Sequence, residues 1–246
     1  MSPGTAEAGP PGDSAEPSRK HQKDHMLFDI AAMAVKPRYN LLASLIVPRP
    51  IAWVTSGDAQ GRLNAAPFSL FNLVSGTPPV VVLGIGNRDG RPKDSARNIV
   101  ETGDFVINLV SADLLDAMNV TAVEFAEDVD EIAEAGLTTI PSFAVGPPRI
   151  AGSPVALECT YTRTVELGQN RDLIIGEICY AHVEDDVVLD PDRGHVDAGR
   201  MNLVGRMHGG GWYTTTTAPF QVARIQAGEW RRNQSPSDSR ESESLR

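Results

Sequence analysis

Only two cysteines occur among the 246 residues, which excludes a disulfide framework. The N-terminal stretch MSPGTAEAGPPGDSAEPSRK carries no apolar core, so no secretory leader is visible. Apolar runs such as Pro79-Val80-Val81-Val82-Leu83 stop far short of a bilayer span, and no membrane association is expected. A reducing, cytoplasmic setting follows as the expectation. Positive charge is scarce: 22 Lys and Arg stand against 32 Asp and Glu, for a net charge of −10. A nucleic-acid binder carries the opposite footprint, so no nucleic-acid partner is expected. Apolar residues, at 41 %, are plentiful enough for a packed core and exclude global disorder.

Signature motifs are missing too. No G-x-x-x-x-G-K-[ST], H-E-x-x-H, C-x-x-C or G-x-S-x-G occurs. Gly84-Ile85-Gly86-Asn87-Arg88-Asp89-Gly90 follows an apolar run but has one residue too many for G-x-G-x-x-G. Arg91-Pro92 then blocks a helix start, so a dinucleotide loop is rejected. The five histidines have no ligand spacing, and no metal site is expected. Cys159 and Cys179 fall nearly opposite each other on a hairpin, as free buried thiols. The acids Glu124, Glu127, Asp128, Asp130, Glu131 and Glu134 lack the order of a calcium loop and read as a solvated helix with its N-terminal turn.

Composition divides the chain. Residues 1–25 and 228–246 are rich in Gly, Pro, Ser and charge without apolar periodicity, and are expected to be disordered. One folded domain is expected over residues 26–227. Its charge is uneven. Residues 36–97 hold eight basic residues and three acids, whereas residues 98–148 hold ten acids and no Lys or Arg. Positive charge gathered early can cradle an anion, or it can be solvated surface.

Apolar alternation and turn residues predict strands at 50–56, 62–69, 80–85 and 105–110. Two long alternating stretches, 155–167 and 173–183, predict a hairpin around Gly168-Gln169-Asn170-Arg171. Helices are expected at 93–101, with Ser95 as cap, at 111–118, and at 128–135, closed by Gly136. Strands outnumber helices, and only residues 80–110 read as strand–helix–strand. A mainly antiparallel β barrel with peripheral helices is the fold expected.

Three segments can carry chemistry. The first runs from Arg49 through Thr55 and Ser56, then from Asn64 through Ala65, Ala66 and Pro67 to Ser69. Small residues leave strand backbone accessible, and Pro67 removes a ladder donor, which suits an edge or bulge. A flat ring can lie there, bonded by Thr55, Ser56 and Asn64; an ordinary strand edge is the alternative. The second is Lys93-Asp94-Ser95-Ala96-Arg97-Asn98, where a helix start with a cation and a hydroxyl suits phosphate, or is a plain helix start. The third is Gly205-Arg206-Met207-His208-Gly209-Gly210-Gly211-Trp212-Tyr213. Its glycines permit close approach to a ligand or subunit, or make a flexible turn; His208 is either a site residue or a local cap.

In this order, R-P-I-A-W-V-T-S, then N-A-A-P-F-S-x-F, T-P-P-V-V-V, K-D-S-A-R-N-I and G-R-M, the segments resemble the flavin reductase-like family. The resemblance covers residues 38–215 and implies a six-stranded antiparallel split barrel that binds FMN and forms homodimers. It implies that Thr55, Ser56, Asn64, Ala65, Ala66 and Ser69 line the flavin, with Lys93, Ser95 and Asn98 at its phosphate. Arg49 and Pro67 are grouped with the cofactor-binding set, and His208 is the catalytic candidate. The activity implied is NAD(P)H-dependent flavin reduction, using NADH or NADPH and supplying a two-component monooxygenase. The alternatives are an electron-transfer flavoprotein of flavoredoxin or ferric reductase type, with a protein partner, and a non-catalytic FMN-binding dimer.

Overall fold

The computed structural model describes residues 25–126, 129–168 and 170–226. The tails expected at 1–25 and 228–246 lie outside the described residues, apart from His25, which is exposed and outside any element. The chain divides into two compact units, one ending at Tyr39 and one starting at Asn40. Helix α1 (Val35–Leu45) begins in the first unit and buries none of its residues.

The second unit is built on strands. In chain order they are β1 (Arg49–Pro50), β2 (Ala52–Gly57), β3 (Leu63–Phe68), β4 (Phe71–Gly76), β5 (Pro79–Gly86), β6 (Asp104–Leu109), β7 (Thr139–Ile140), β8 (Arg149–Ile150), β9 (Val155–Glu166), β10 (Arg171–Val183), β11 (Val188–Asp190), β12 (His195–Val196), β13 (Val204–Arg206) and β14 (Tyr213–Thr215). Seven of them form one antiparallel sheet in the order β3-β2-β6-β9-β10-β5-β4, one strand more than the six implied by resemblance. Strands β1, β13 and β14 form a separate three-stranded sheet.

The chain itself forces the large sheet to curl. Its two edge strands, β3 and β4, are consecutive and joined only by Ser69 and Leu70. Three Cα steps reach about 11 Å at most. A flat seven-stranded sheet would hold its edges about 29 Å apart. The edges therefore converge at this corner, and Leu70 O accepts the Gly84 N–H at 2.7 Å.

Alternation divides the buried residues between two faces. Ala52, Val54, Phe68, Leu83, Ile85, Phe105 and Ile107 pack in the barrel core. Trp53 faces the other way, into a cluster with Ile51, Val110, Met118 and Ile150. Its indole Nε1 donates to Thr121 Oγ1 at 2.9 Å, so the buried ring leaves no polar atom unpaired.

Helix α2 (Asp94–Thr102) buries Ala96 and Ile99 against the barrel core. It ends at Gly103, whose φ of 83° is the left-handed conformation that favours glycine. Ser95, expected as the cap, lies inside the helix. Lys93 holds the cap position in extended backbone and makes no side-chain cap bond. Helix α3 (Leu115–Val120) follows a short 3-10 turn at Ala112–Leu114.

The helix expected at 128–135 is shorter. Helix α4 spans Glu131–Glu134, and Asp130 caps it by accepting the N–H groups of Ile132 and Ala133 at 2.9 and 3.2 Å. Glu127 and Asp128 lie outside the described residues. The expected hairpin is β9 with β10, although Gln169 of its turn also lies outside the described residues. Both cysteines are free, but only Cys159 is buried. A register shift between Ile178 and Tyr180 leaves Cys179 exposed, so the expected pair of buried thiols is corrected to one.

Candidate functional site

Strand β3 is an edge of the barrel, and α2 and α4 both pack against it. Between them opens a shallow cleft of about 90 Å³, continuous with solvent. Asn64, Ala66, Pro67 and Phe68 form its strand wall, and Lys93, Asp94 and Ser95 its helix wall. Thr121 to Phe125, Arg88 and Glu131 complete the lining. The small side chains of Ala66 and Pro67 are what leave the edge open.

A polar seam joins β2, β3 and α2. Ser56 pairs with Asn64 in the strand register. Ser56 Oγ accepts from Asn98 Nδ2 at 3.4 Å. In the amide orientation that satisfies its neighbours, Asn64 Oδ1 accepts from Ser95 Oγ at 2.8 Å and Nδ2 donates to Glu131 Oε1 at 3.2 Å. Asn98 Oδ1 is buried without a hydrogen-bond partner among the described residues. The seam thus brings Ser56, Asn64, Ser95 and Asn98 together, while Asn64, Ala66, Pro67, Lys93 and Ser95 border the cleft.

Other expected site residues are placed elsewhere. Thr55 is fully buried and donates to Pro148 O at 2.6 Å, which ties down the segment before β8. Ala65 is fully buried beside it in the β2–β3 register. Ser69 is half-buried in the link between the two sheet edges. Arg49 is 7 % exposed, and its guanidinium donates to the carbonyls of Ala43, Ile46 and Met207, which occupies it as an anchor. His208 lies exposed in the β13–β14 loop, its ring 5.4 Å from that of Trp212, outside the cleft lining.

Arg88, Glu131 and the segment Thr121 to Phe125 line the cleft without having been expected there. Arg88 approaches Glu124 with Nε 3.4 Å from Oε1. Glu131, read from sequence as part of a solvated acidic helix, is only half-exposed and lines the cleft. Burial pushes its carboxyl above the ordinary value. The N–H groups of Glu131 itself and Ala65 oppose this, and Asp94 and Asp130 add to it. The contrast between the basic 36–97 and acidic 98–148 segments was the one signal that opposite charges meet here.

Helix α2 supplies the electrostatics. Its first-turn N–H groups have no side-chain cap, the helix dipole places partial positive charge there, and Lys93 adds a full one. Asp94 is engaged with Arg97 at 2.6 Å. An open barrel edge beside an uncapped, cation-bearing helix start suits a flat ligand with an anionic tail.

Residues 44–199 match the flavin reductase like domain, more than half of the chain. An uncharacterised protein of Deinococcus radiodurans is 43% identical over 211 residues, covering 84% of this chain and 92% of that protein. Nitrilotriacetate monooxygenase component B from Bacillus cereus superposes with a TM-score of 0.77 at 30% identity, covering 82% of this chain and all of that one. The Pseudomonas fluorescens 2-nitrobenzoate 2-nitroreductase NbaA gives 0.75 at 27% identity, covering 82% and 98%. The fold is the split barrel. The chain belongs to the flavin reductase-like family.

Proposed function

We propose that the protein is an NAD(P)H:flavin oxidoreductase that binds FMN in the β3–α2 cleft. The observation that carries this reading is the uncapped start of α2 with Lys93 at its cap, beside an edge strand stripped of large side chains. These residues fit the cofactor. Free N–H groups and Lys93 form a donor set for a phosphate, and the small side chains of Ala66 and Pro67 leave a strand edge against which a planar ring can lie.

The chemistry a bound flavin supplies is two-electron transfer, with hydride taken from a dihydronicotinamide. The protein binds, orients and sets charge. Lys93 and the α2 dipole hold the phosphate and so fix the position of the ring along β3. The Ser56–Asn98 and Asn64–Ser95 contacts keep the polar seam rigid, which favours one orientation of the ligand. No strong acid or base is required of the chain for hydride transfer itself.

The similarity to a monooxygenase component supports a role in supplying reduced flavin to an oxygenase partner. A homodimer belongs to the same proposal. Leu73 and Val74, each 57% exposed on edge strand β4, offer apolar surface to a second copy. The test is steady-state oxidation of NADH and NADPH with and without added FMN. Turnover that depends on FMN supports the reading, and no turnover with either donor rejects it. Sedimentation velocity tests the dimer separately.

A further inference from the structure

We propose that Glu131 is a specificity-determining residue that weakens phosphate binding in this cleft, so that the flavin exchanges as a diffusible substrate and is not held as a resident group. The inference rests on the flavin reading above and assigns a role to a residue that reading leaves unused.

Charge accounting around the cleft leads to it. Arg88 and Lys93 are its cationic lining residues, and Asp94, Glu124 and Glu131 its acids. Asp94 is engaged by Arg97, and Glu124 by Arg88. Arg62 and Arg97 line a second small recess beside Glu131, each against a carboxylate of its own, Asp58 and Asp94, and Asp130 spends its carboxylate capping α4. Among the described residues no Lys, Arg or His forms an ion pair with Glu131, whose polar partners are neutral: the Asn64 amide and the Ala65 N–H. Asp94 and Asp130 stand near it with like charge.

Its position is built by the local fold. The Asp130 cap sets the first turn of α4 and sends Ile132, 6 % exposed, into the protein. The preceding residue then points across to Asn64 and the cleft. Glu131 thus reaches the Asn64–Ser95 pair at the mouth of α2, where a phosphate of nearly two negative charges would sit. Repulsion between unit charges in such a half-buried site is worth on the order of a tenfold change in affinity. Phosphate binding should then draw a proton onto Glu131, because a new anion favours its neutral form.

The experiment compares the wild-type protein with Glu131→Gln, which keeps shape and hydrogen-bonding capacity while removing charge. FMN and riboflavin affinities are measured by flavin fluorescence at pH 7.5, with FMN release rates by stopped flow. Expected is about tenfold tighter FMN and correspondingly slower release in the variant, with riboflavin within about twofold. Wild-type titrations in two buffers of different ionisation enthalpy should show more proton uptake with FMN than with riboflavin. This second readout does not require the variant to match wild-type stability. An unchanged FMN-to-riboflavin ratio with equal proton uptake overturns the role of Glu131 and leaves the flavin reading intact. Failure of the wild-type protein to bind either flavin overturns both.

Discussion

Ser95 and Asn64, 31 positions apart in the chain, meet with the serine hydroxyl 2.8 Å from the asparagine side-chain amide. This contact fastens the start of α2 to the edge strand of the barrel. It makes one cleft from two features that are each unremarkable alone: an open strand edge and an uncapped helix start.

The first consequence concerns Lys93. It contributes a cation at the cleft and no cap bond to the helix. Lys93→Ala should weaken FMN by on the order of 1–3 kcal/mol, as loss of a charge-assisted hydrogen bond does. Riboflavin lacks the phosphate and should be nearly unaffected. Parallel fluorescence titrations of the two flavins check this, and an equal loss for both would place Lys93 outside the phosphate site.

The second concerns Glu158, fully buried on β9. Its carboxylate accepts the N–H groups of Phe143, Ala144 and Val145 at 2.6, 2.7 and 3.3 Å, and lies 2.6 Å from His182 Nε2. Burial pushes this carboxyl up, but the N–H bonds and His182 outweigh burial and hold it below its ordinary value of 4.5. A depressed native-state value means that the stabilisation is present above the unfolded-state value and is lost as pH falls through the native one. Glu158→Gln should therefore cost on the order of 1–3 kcal/mol near neutral pH, as loss of hydrogen bonds to a buried carboxylate does. The melting curves of variant and wild type should converge in acid. A gap independent of pH would contradict the charged assignment.

A third is steric. A Cβ on Gly176 would lie 2.5 Å from Phe105 Cζ and 3.2 Å from Thr160 O. The register of β10 against β9 shifts at this point, and the Phe105 ring fills the space where a side chain would stand. Gly176→Ala should destabilise by about 1–3 kcal/mol, as overpacking does. Trimming the ring in Phe105→Leu should make the double variant less destabilised than the sum of the singles. Denaturant midpoints of the four proteins measure this, and strict additivity would deny the clash.

Much of the barrel is legible in the sequence because its strands carry their own local signals. The β2–β3 hairpin follows from alternation on either side of Asp58 and Gly61, and β9–β10 from two long alternating runs. Helix α2 is legible from Ala96, Ile99 and Val100 at helical spacing. Placement across elements is less so. Thr55 and Ser56 are neighbours with similar hydroxyls, yet the strand turns them to opposite faces, one toward Pro148 and one toward Asn98. Arg49 carries a charge suited to a ligand, but the carbonyls that engage it arrive from residues 43, 46 and 207. Glu131 sits in an acid-rich stretch that reads as solvated surface. Only the Asp130 cap and the packing of α4 on β3 turn it into the cleft.

The central claim is that this cleft holds a flavin for reduction by a nicotinamide. The most direct measurement is the visible absorption spectrum of the purified protein with FMN under anaerobic conditions, before and after NADH or NADPH. The account predicts a perturbed flavin band in the presence of protein, and bleaching on addition of one donor far faster than in free solution. A spectrum identical to free FMN, with no acceleration by either nucleotide, would contradict it.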